Sequence, residues 1–227
     1  MTPAREAKRV VVFGAGDYAR IAATYLDADS PHEVVAFTVN RDFIGDEDAL
    51  LGRPVVAFEE LVERYAPSDC AMLVAVGFSR VNQAREQAFN ECKALGYELI
   101  SYVSSKASVW HDVEIGENTF VFEENVVQPF VTIGDNVVLW SGNHIGHDTV
   151  IEDHVFIASH AVISGNVTIG HHTFVGVNAT FRDAVKVAPR CVIGAAASVM
   201  RDTEEGDVLP GPRTEPSERK SWALRNF

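Results

Sequence analysis

The sequence has few cysteines, and their placement already excludes several kinds of site. Cys70, Cys92 and Cys191 are the only three cysteines in 227 residues, and no two of them form a CxxC pair. An odd number at wide spacing argues against a disulfide framework, a zinc knuckle and a paired redox centre. We therefore expect all three to be small residues of the core.

Positive charge and long apolar runs are also scarce. The chain has 19 Lys and Arg against 32 Asp and Glu, which gives a formal net charge of −13. No block is basic, so we expect binding neither to nucleic acid nor to an anionic membrane surface. Apolar runs are short and broken by charge, and the first residues lead directly into a strand-like pattern. We therefore expect a cytoplasmic protein without a membrane span.

The first hundred residues alternate between short β-branched runs and stretches with helical periodicity. Strands are predicted at 9–13, 33–39 and 71–76, and helices at 17–28, 58–66 and 80–96. Strands separated by helices imply a small parallel sheet of three or four strands with right-handed crossovers.

Beyond Ser101 the sequence repeats every six residues. Every sixth residue from Val109 to Val199 is large and apolar, without exception over sixteen positions, and a small or compact residue lies two places before each. Six of the sixteen are followed by glycine. A period of six with inward residues at i and i−2 predicts short strands around a narrow interior, which is the pattern of a hexapeptide β-helix.

A glycine-rich turn follows the first predicted strand and opens a helix. Gly14, Gly16 and Ala19 form a GxGxxA motif, in which glycines let the backbone approach a phosphate at a helix N-terminus. A dinucleotide site would require an acidic residue after the second strand, where Val39 and Asn40 stand instead. A nucleotide sugar or another phosphate ligand, and a purely structural turn, remain open at this point. The loop from 77 to 80, after the third strand, is a second candidate.

Histidines are concentrated in the repeats. His147 is followed by Asp148 at a corner beside Gly146, and an imidazole next to a carboxylate suits a general base. Three six-residue repeats make one coil of the β-helix. His154 and His172 lie 18 residues apart, so they fall at the same place on neighbouring coils, about 4.8 Å apart. That pair could hold a metal, but its corner position predicts exposed polar turn residues.

The two halves together resemble the bacterial acyl-CoA-dependent sugar acyltransferases. The resemblance rests on GAGDYA in the first half and on HIGHDTVIEDHVF and ISGNVTIGHHTFVGVNATF in the second. This family includes sialic-acid O-acetyltransferase-like proteins and N-acetyltransferases of nucleotide-linked 4-amino-4,6-dideoxy sugars. It implies a Rossmann-like domain at 1–100 that binds the nucleotide sugar, a left-handed β-helix at 101–208 and a C-terminal tail at 209–227. It also implies a homotrimer with acetyl-CoA between neighbouring β-helices.

The resemblance assigns roles to individual residues. It implies His147 as the base, Asp148 as its acidic partner, and Gly165 as the amide that faces the thioester carbonyl. Gly176 and Gly194 would line the pantetheine arm. The substrate-binding residues would be Gly14, Gly16, Asp17, Tyr18, Val39, Asn40 and Gly77.

The expected function is transfer of an acetyl group from acetyl-CoA, as co-substrate, to the amine of a nucleotide-linked amino sugar in surface glycan (lipopolysaccharide) biosynthesis. No metal is needed, because a thioester is already activated. Sialic-acid-type O-acetylation is the alternative acceptor chemistry. A trimeric metal-dependent hydratase of the carbonic-anhydrase type and a non-catalytic scaffold trimer are alternatives of other classes.

Overall fold

The computed structural model describes residues 6–45 and 48–223. Its first half contains a five-stranded sheet, sheet A, in the order β3-β4-β2-β1-β5. The strands are β1 (Arg9–Phe13), β2 (Glu33–Val39), β3 (Ala49–Leu50), β4 (Arg53–Ala57) and β5 (Ala71–Val74). All neighbours pair in parallel except β3 with β4. The pair β3 and β4 was not predicted, because Gly52 and Pro54 give this segment the sequence of a turn.

The helices differ from prediction mainly at their starts. They are α1 (Asp17–Asp29), α2 (Leu61–Arg64) and α3 (Gln83–Ala94), with short 3-10 helices at Arg41–Phe43, Phe58–Glu60 and Ser221–Ala223. The helix predicted at 58–66 is a 3-10 turn followed by the single-turn α2. The helix predicted from residue 80 begins three residues later, because residues 80–82 adopt left-handed backbone angles. In the described ranges no helix combines the length and apolar character that a membrane span requires.

Both faces of sheet A are covered, as a parallel sheet requires. Val10 and Val12 of β1 pack with α1, whereas Val11 and Phe13 pack on the opposite face with α3. Helix α1 lies between sheet A and the second half, since its buried residues share one apolar cluster with Phe120 and other aromatic residues of the repeats. The three cysteines are free and buried, which confirms their prediction as core residues.

The second half is a β-helix of two-residue strands in three parallel sheets. Sheet B contains β6 (Tyr102–Val103), β9 (Phe120–Val121), β12 (Val138–Leu139), β15 (Phe156–Ile157), β18 (Phe174–Val175), β21 (Val192–Ile193) and β23 (Val208–Leu209). Sheet C contains β7 (Ser108–Val109), β10 (Val126–Val127), β13 (His144–Ile145), β16 (Val162–Ile163), β19 (Thr180–Phe181) and β22 (Ser198–Val199). Sheet D contains β8 (Glu114–Ile115), β11 (Thr132–Ile133), β14 (Val150–Ile151), β17 (Thr168–Ile169) and β20 (Lys186–Val187).

The six-residue period is confirmed by burial. The large residue of each hexad points inward, and Ile145, Ile151 and Ile157 are completely buried in one continuous core. The chain passes from sheet B to C to D and back to B, so each coil has three corners, which we name corner BC, corner CD and corner DB. From Asn118 to Ala196, every sixth residue has a left-handed φ, between 52° and 65° apart from Gly142 at 78°. Asparagine tolerates this conformation, which explains its recurrence at the corners.

Candidate active site

A cleft of about 570 Å³ opens at the carboxyl ends of β1, β2 and β5. Open parallel sheets bind ligands at this edge, and the volume is typical of a small-molecule pocket. Five of the seven predicted substrate-binding residues line it, together with one cation: Gly14, Gly16, Val39, Asn40, Gly77 and Arg80. The structure thus brings three separate loops together around one space.

Asp17 and Tyr18 lie outside this cleft. Asp17 is exposed and pairs with Arg20 at 3.0 Å. Tyr18 turns toward the β-helix, where its ring centroid lies 6.1 Å from those of Phe120 and Trp140. Burial raises the pKa of the Tyr18 phenol, which is therefore neutral at physiological pH. Its position is that of a packing residue between the two halves.

The loop after β5 enters α3 through a left-handed turn. Arg80, Val81 and Asn82 have φ of 52°, 51° and 65°. A β-branched residue such as Val81 rarely adopts this conformation, which costs about 1–2 kcal/mol per residue. The buried Asn82 side chain holds the turn by donating to the carbonyl oxygens of His172 and Thr173, at 2.7 and 3.2 Å. Backbone strain of this kind is concentrated at ligand sites.

Arg85 of α3 ties this loop to the β-helix. Its guanidinium is completely buried, and its N–H groups donate to the oxygens of five residues. These are the carbonyl oxygens of Asn136, Gly77, His154 and Val155 and Oδ1 of Asn82, at 2.8 to 3.3 Å. Burial lowers the pKa of Arg85 to about 10, so the group remains charged at neutral pH. No sequence pattern indicated this role, because its partners are mostly backbone atoms of the second half of the chain.

His147 and Asp148 form the predicted pair at corner CD. His147 Nδ1 lies 2.8 Å from Asp148 Oδ2. The carboxylate favours the tautomer with its proton on Nδ1, which leaves Nε2 able to accept a proton. The two side chains are 53% and 50% exposed, so a substrate can reach them.

Gly165 lies on the next coil, 18 residues after His147. A methyl group at this position would stand 2.6 Å from His147 Nε2 and 3.1 Å from Asp183 Oδ1, so only glycine leaves space between the two side chains. We call this space the Gly165 slot. Among the described residues, the Gly165 N–H has no hydrogen-bond acceptor. A free amide beside the imidazole can stabilise an oxyanion.

Gly176 and Gly194 lie at corner BC, which the outward face of sheet C separates from corner CD. A side chain on Gly176 would approach the Ala195 nitrogen to 2.7 Å, and one on Gly194 would approach the Gly211 nitrogen to 2.4 Å. Close packing of successive coils therefore accounts for both glycines. The structure does not bring them beside His147 within one chain.

The prediction that His154 and His172 are exposed turn residues is wrong. Their side chains are only 12% and 6% exposed, because α3 covers corner DB. Their ring centroids lie 4.8 Å apart, in agreement with the coil spacing. Both Nε2 atoms face Glu86 of α3, at 2.9 Å from His172 and 3.7 Å from His154. We call these three residues the docked cluster.

The docked cluster has the residue types of a metal site, but its hydrogen bonds oppose one. Val74 N–H donates to Asn118 Oδ1 at 2.7 Å, which orients that amide. Asn118 Nδ2 then donates to Asn136 Oδ1 at 2.8 Å, and Asn136 Nδ2 donates to His154 Nδ1 at 3.0 Å. The neutral His154 ring therefore carries its proton on Nε2, the atom that would have to bind a metal. The arrangement favours an N–H facing Glu86 instead.

Comparison with known proteins agrees with this architecture. The bacterial transferase hexapeptide family (six repeats) matches residues 130–165. No curated protein sequence matches the chain significantly.

Several solved structures match over most of the chain. The acetyltransferase domain of PglB from Neisseria gonorrhoeae FA1090 is 26% identical, over 92% of this chain and 100% of that one, with a TM-score of 0.80. The same domain in complex with acetyl coenzyme A has a TM-score of 0.81 at 26% identity, over 93% and 100% of the two chains. PerB from Caulobacter crescentus, in complex with CoA and GDP-perosamine, is 24% identical over 90% and 91%, with a TM-score of 0.77, and shares the fold.

These matches and the parallel sheets confirm the predicted fold class. The chain is a Rossmann-like α/β half followed by a left-handed β-helix of hexapeptide repeats, and its resemblance to the acyl-CoA-dependent nucleotide-sugar acyltransferases is confirmed.

Proposed function

We propose that the chain transfers an acetyl group from acetyl-CoA to the amine of a nucleotide-linked amino sugar. The acceptor we favour is a 4-amino-4,6-dideoxy sugar of bacterial surface glycan biosynthesis, acetylated in the cytoplasm, where acetyl-CoA is made. One observation carries the proposal: the His147–Asp148 pair faces the Gly165 slot, beside a free backbone N–H. The similar PglB domain, solved with acetyl coenzyme A, supports the choice of donor.

In this mechanism His147 Nε2 removes a proton from the acceptor amine as the nitrogen attacks the thioester carbonyl carbon. Asp148 holds the ring through Nδ1 and stabilises the imidazolium that forms. The new C–N bond creates an oxyanion, which accepts a hydrogen bond from the Gly165 N–H. The C–S bond then breaks, and His147 returns its proton to the CoA sulfur.

The nucleotide would occupy the cleft of sheet A. Gly14 and Gly16 allow close approach of a diphosphate to the N-terminus of α1, and Arg80 is the cation of the cleft described above. Val39, Asn40 and Gly77 border the same space on the neighbouring strands. The strained turn at 80–82, held by Asn82 and Arg85, would fix Arg80 for this contact.

We further propose a homotrimer that buries the outward face of sheet C. Val126 and Val162 of this sheet are 42% and 44% exposed, and Phe130 at corner CD is 67% exposed. The outward strand residues of sheet C include no Asp, Glu, Lys or Arg, whereas those of sheet D include Glu114 and Lys186 beside Thr132, Thr168 and Val150, which is 39% exposed. Exposed apolar side chains on a face without charged residues favour a contact between copies.

A trimer of this kind would also complete the coenzyme site. It would place corner BC of one copy, with Gly176 and Gly194, next to corner CD of its neighbour. Val162→Glu should convert the assembly to monomers, measured by light scattering coupled to size-exclusion chromatography. A trimer that persists in this variant would contradict the assignment of sheet C.

The proposed function is tested by thiol release from acetyl-CoA with UDP-, GDP- and dTDP-linked 4-amino sugars and their 4-hydroxy counterparts. Turnover on an amino sugar, with an N-acetylated product by mass spectrometry and loss of turnover in His147→Asn, is the expected result. Turnover restricted to hydroxy sugars would make the enzyme an O-acetyltransferase. If no sugar of the panel were turned over, the proposal of a nucleotide-sugar acceptor would be contradicted.

A further inference from the structure

A second carboxylate faces the proposed base across the Gly165 slot. His147, Gly165 and Asp183 occupy equivalent positions on three successive coils, 18 residues apart. Because Gly165 has no side chain, His147 Nε2 and Asp183 Oδ1 both approach the point where its Cβ would lie, to 2.6 and 3.1 Å. The slot is therefore bordered by a base, a free amide N–H and a carboxylate.

Asp183 differs from the other aspartates at the corners. Asp135, Asp153 and Asp202 each accept a hydrogen bond from a backbone N–H of a neighbouring coil or segment, at 2.7 to 2.8 Å. Asp148 is engaged by His147 Nδ1. Within residues 6–45 and 48–223, the Asp183 carboxylate has neither a hydrogen-bond donor nor a cationic partner. The fold makes no use of this carboxylate, although it lies beside the proposed base.

The chemistry of the acceptor distinguishes two uses of such a site. An amino sugar is protonated at neutral pH, so its nitrogen carries three protons and must lose two of them to become an amide. A hydroxyl carries one proton and loses only that one. A single base is sufficient for the hydroxyl, whereas an ammonium group requires a second acceptor and benefits from a nearby negative charge.

We propose that Asp183 binds the protonated amine of the acceptor sugar and thereby selects an amino sugar over its hydroxyl counterpart. This inference rests on the proposed function and assigns its acceptor specificity. The ammonium donates one N–H to Asp183 and one to His147 Nε2. In this arrangement Asp183 and His147 both contact the nitrogen of the acceptor, and the Gly165 N–H faces the carbonyl oxygen of the thioester.

The protons and electrons balance through these groups. His147 takes the first proton. The nitrogen lone pair that this frees forms the C–N bond, while the π electrons of the thioester carbonyl move to its oxygen. Asp183 takes the second proton from the tetrahedral intermediate. The oxygen pair re-forms the carbonyl, the C–S bond breaks, and the sulfur receives the proton from His147. Asp183 finally releases its proton to solvent, so the products are the N-acetyl sugar, CoA thiol and one proton.

A different ligand for Asp183 is the coenzyme, whose pantetheine arm carries amide N–H groups. The two assignments predict different kinetics. If Asp183 binds the amine, its removal affects the amino sugar and leaves the Michaelis constant of acetyl-CoA unchanged. If it binds pantetheine, the Michaelis constant of acetyl-CoA rises for every acceptor.

The test compares wild type, Asp183→Asn and the control Asp202→Asn in the full chain. Asparagine has the same shape and can still accept a hydrogen bond, but it carries no charge and cannot take a proton. Steady-state thiol release is measured with the best 4-amino nucleotide sugar from the panel, with its 4-hydroxy counterpart, and over pH 6 to 10.

For Asp183→Asn we expect kcat/KM on the amino sugar to fall about 10- to 100-fold at neutral pH. The loss should shrink at high pH, where the substrate amine is already free, and Asp183→Glu should recover part of the activity. The ratio of amino to hydroxy turnover should fall, and Asp202→Asn should behave as wild type. A merely structural role would not produce this pH dependence.

Two results would overturn the inference while leaving the proposed function intact: an Asp183→Asn enzyme within about twofold of wild type on the amino sugar, or a raised Michaelis constant for acetyl-CoA alone. A wild-type enzyme that acetylates no amino sugar would contradict both the inference and the proposed function.

Discussion

Two corners of the same coils carry histidines beside acidic groups, and their surroundings give them opposite properties. At corner CD, His147 is half exposed and paired with Asp148, and it faces the Gly165 slot, whose amide N–H has no acceptor in the part of the chain that the structure describes. At corner DB, His154 and His172 are covered by α3 and face Glu86. The residue types are the same, but one group is available to a ligand and the other is occupied by the protein itself.

The role of a corner therefore depends on what packs against it. The left-handed position of the corner is held by Asp148 at corner CD and by His154 and His172 at corner DB, with φ between 56° and 63°. His147 precedes that position by one residue, so the two corners differ both in where histidine stands and in the helix that covers corner DB. We therefore expect substitutions at corner CD to affect chemistry, and substitutions at corner DB to affect stability and the attachment of the α/β half.

The largest effect is expected at the base. His147→Asn removes the Nε2 acceptor, so kcat should fall about 10²- to 10⁴-fold, with the Michaelis constant of acetyl-CoA little changed. Steady-state thiol release measures both quantities. His111 is exposed and holds the same position as His147 two coils earlier. His111→Asn is therefore the matched control and should retain full activity.

Arg85 provides the strongest test of corner DB. Arg85→Met removes the guanidinium and leaves buried carbonyl oxygens without donors, which should cost about 3 kcal/mol of unfolding free energy. The melting temperature should fall by about 6–12 °C, and the Michaelis constant of the nucleotide sugar should rise, because Gly77 loses its anchor. An unchanged melting curve would show that this network does not hold the halves together.

Gly165→Ala tests whether the open space between His147 and Asp183 matters for activity. The added methyl group would overlap the His147 ring, so that the imidazole must move, and activity should fall about 10²-fold while the fold is kept. Gly45→Ala is a suitable control, because a methyl group there would meet no atom of the described residues within 4 Å. If both variants were equally active, the close approach of His147 to Gly165 would have no catalytic meaning.

The smallest effect is a pH dependence of stability. Burial, together with the neighbouring His172, lowers the pKa of His154 below its ordinary value of 6.5. The pKa of Glu86 is also lowered, because the hydrogen bond from His172 and the nearby histidines outweigh the effect of burial. In the unfolded chain both groups bind protons more readily, so stability should fall as the pH drops below 6.5 and again in the acid range of Glu86.

This pH dependence is measured by denaturant unfolding between pH 7.5 and 5. His154→Asn should flatten the stability curve just below pH 6.5, whereas His111→Asn should leave it unchanged. A wild-type stability that rises on acidification over this range would reverse the assigned sign.

The fold was predictable from the repeats because its core depends on local periodicity alone. The hexad positions needed no tertiary information, and the GxGxxA turn and the His147–Asp148 pair are likewise local patterns. Strand β4 could not be predicted, because Pro54 is unfavourable in a strand and β4 forms through its pairing with β2 and β3. The burial of His154 and His172 depends on α3, about 70 to 90 residues away in sequence. Asp183 could have been identified from the sequence, because two 18-residue steps from His147 lead to it.

The proposed division of roles assigns the chemistry to corner CD and the structural role to corner DB. It is tested most directly by measuring the amino-sugar-dependent rate of thiol release and the melting temperature of His147→Asn and His154→Asn side by side. We expect His147→Asn to lose its rate and keep the wild-type melting temperature. We expect His154→Asn to melt at a lower temperature and to retain most of its rate at a temperature where it is folded. A His154→Asn protein that is folded but inactive, or a His147→Asn protein that remains active, would contradict it.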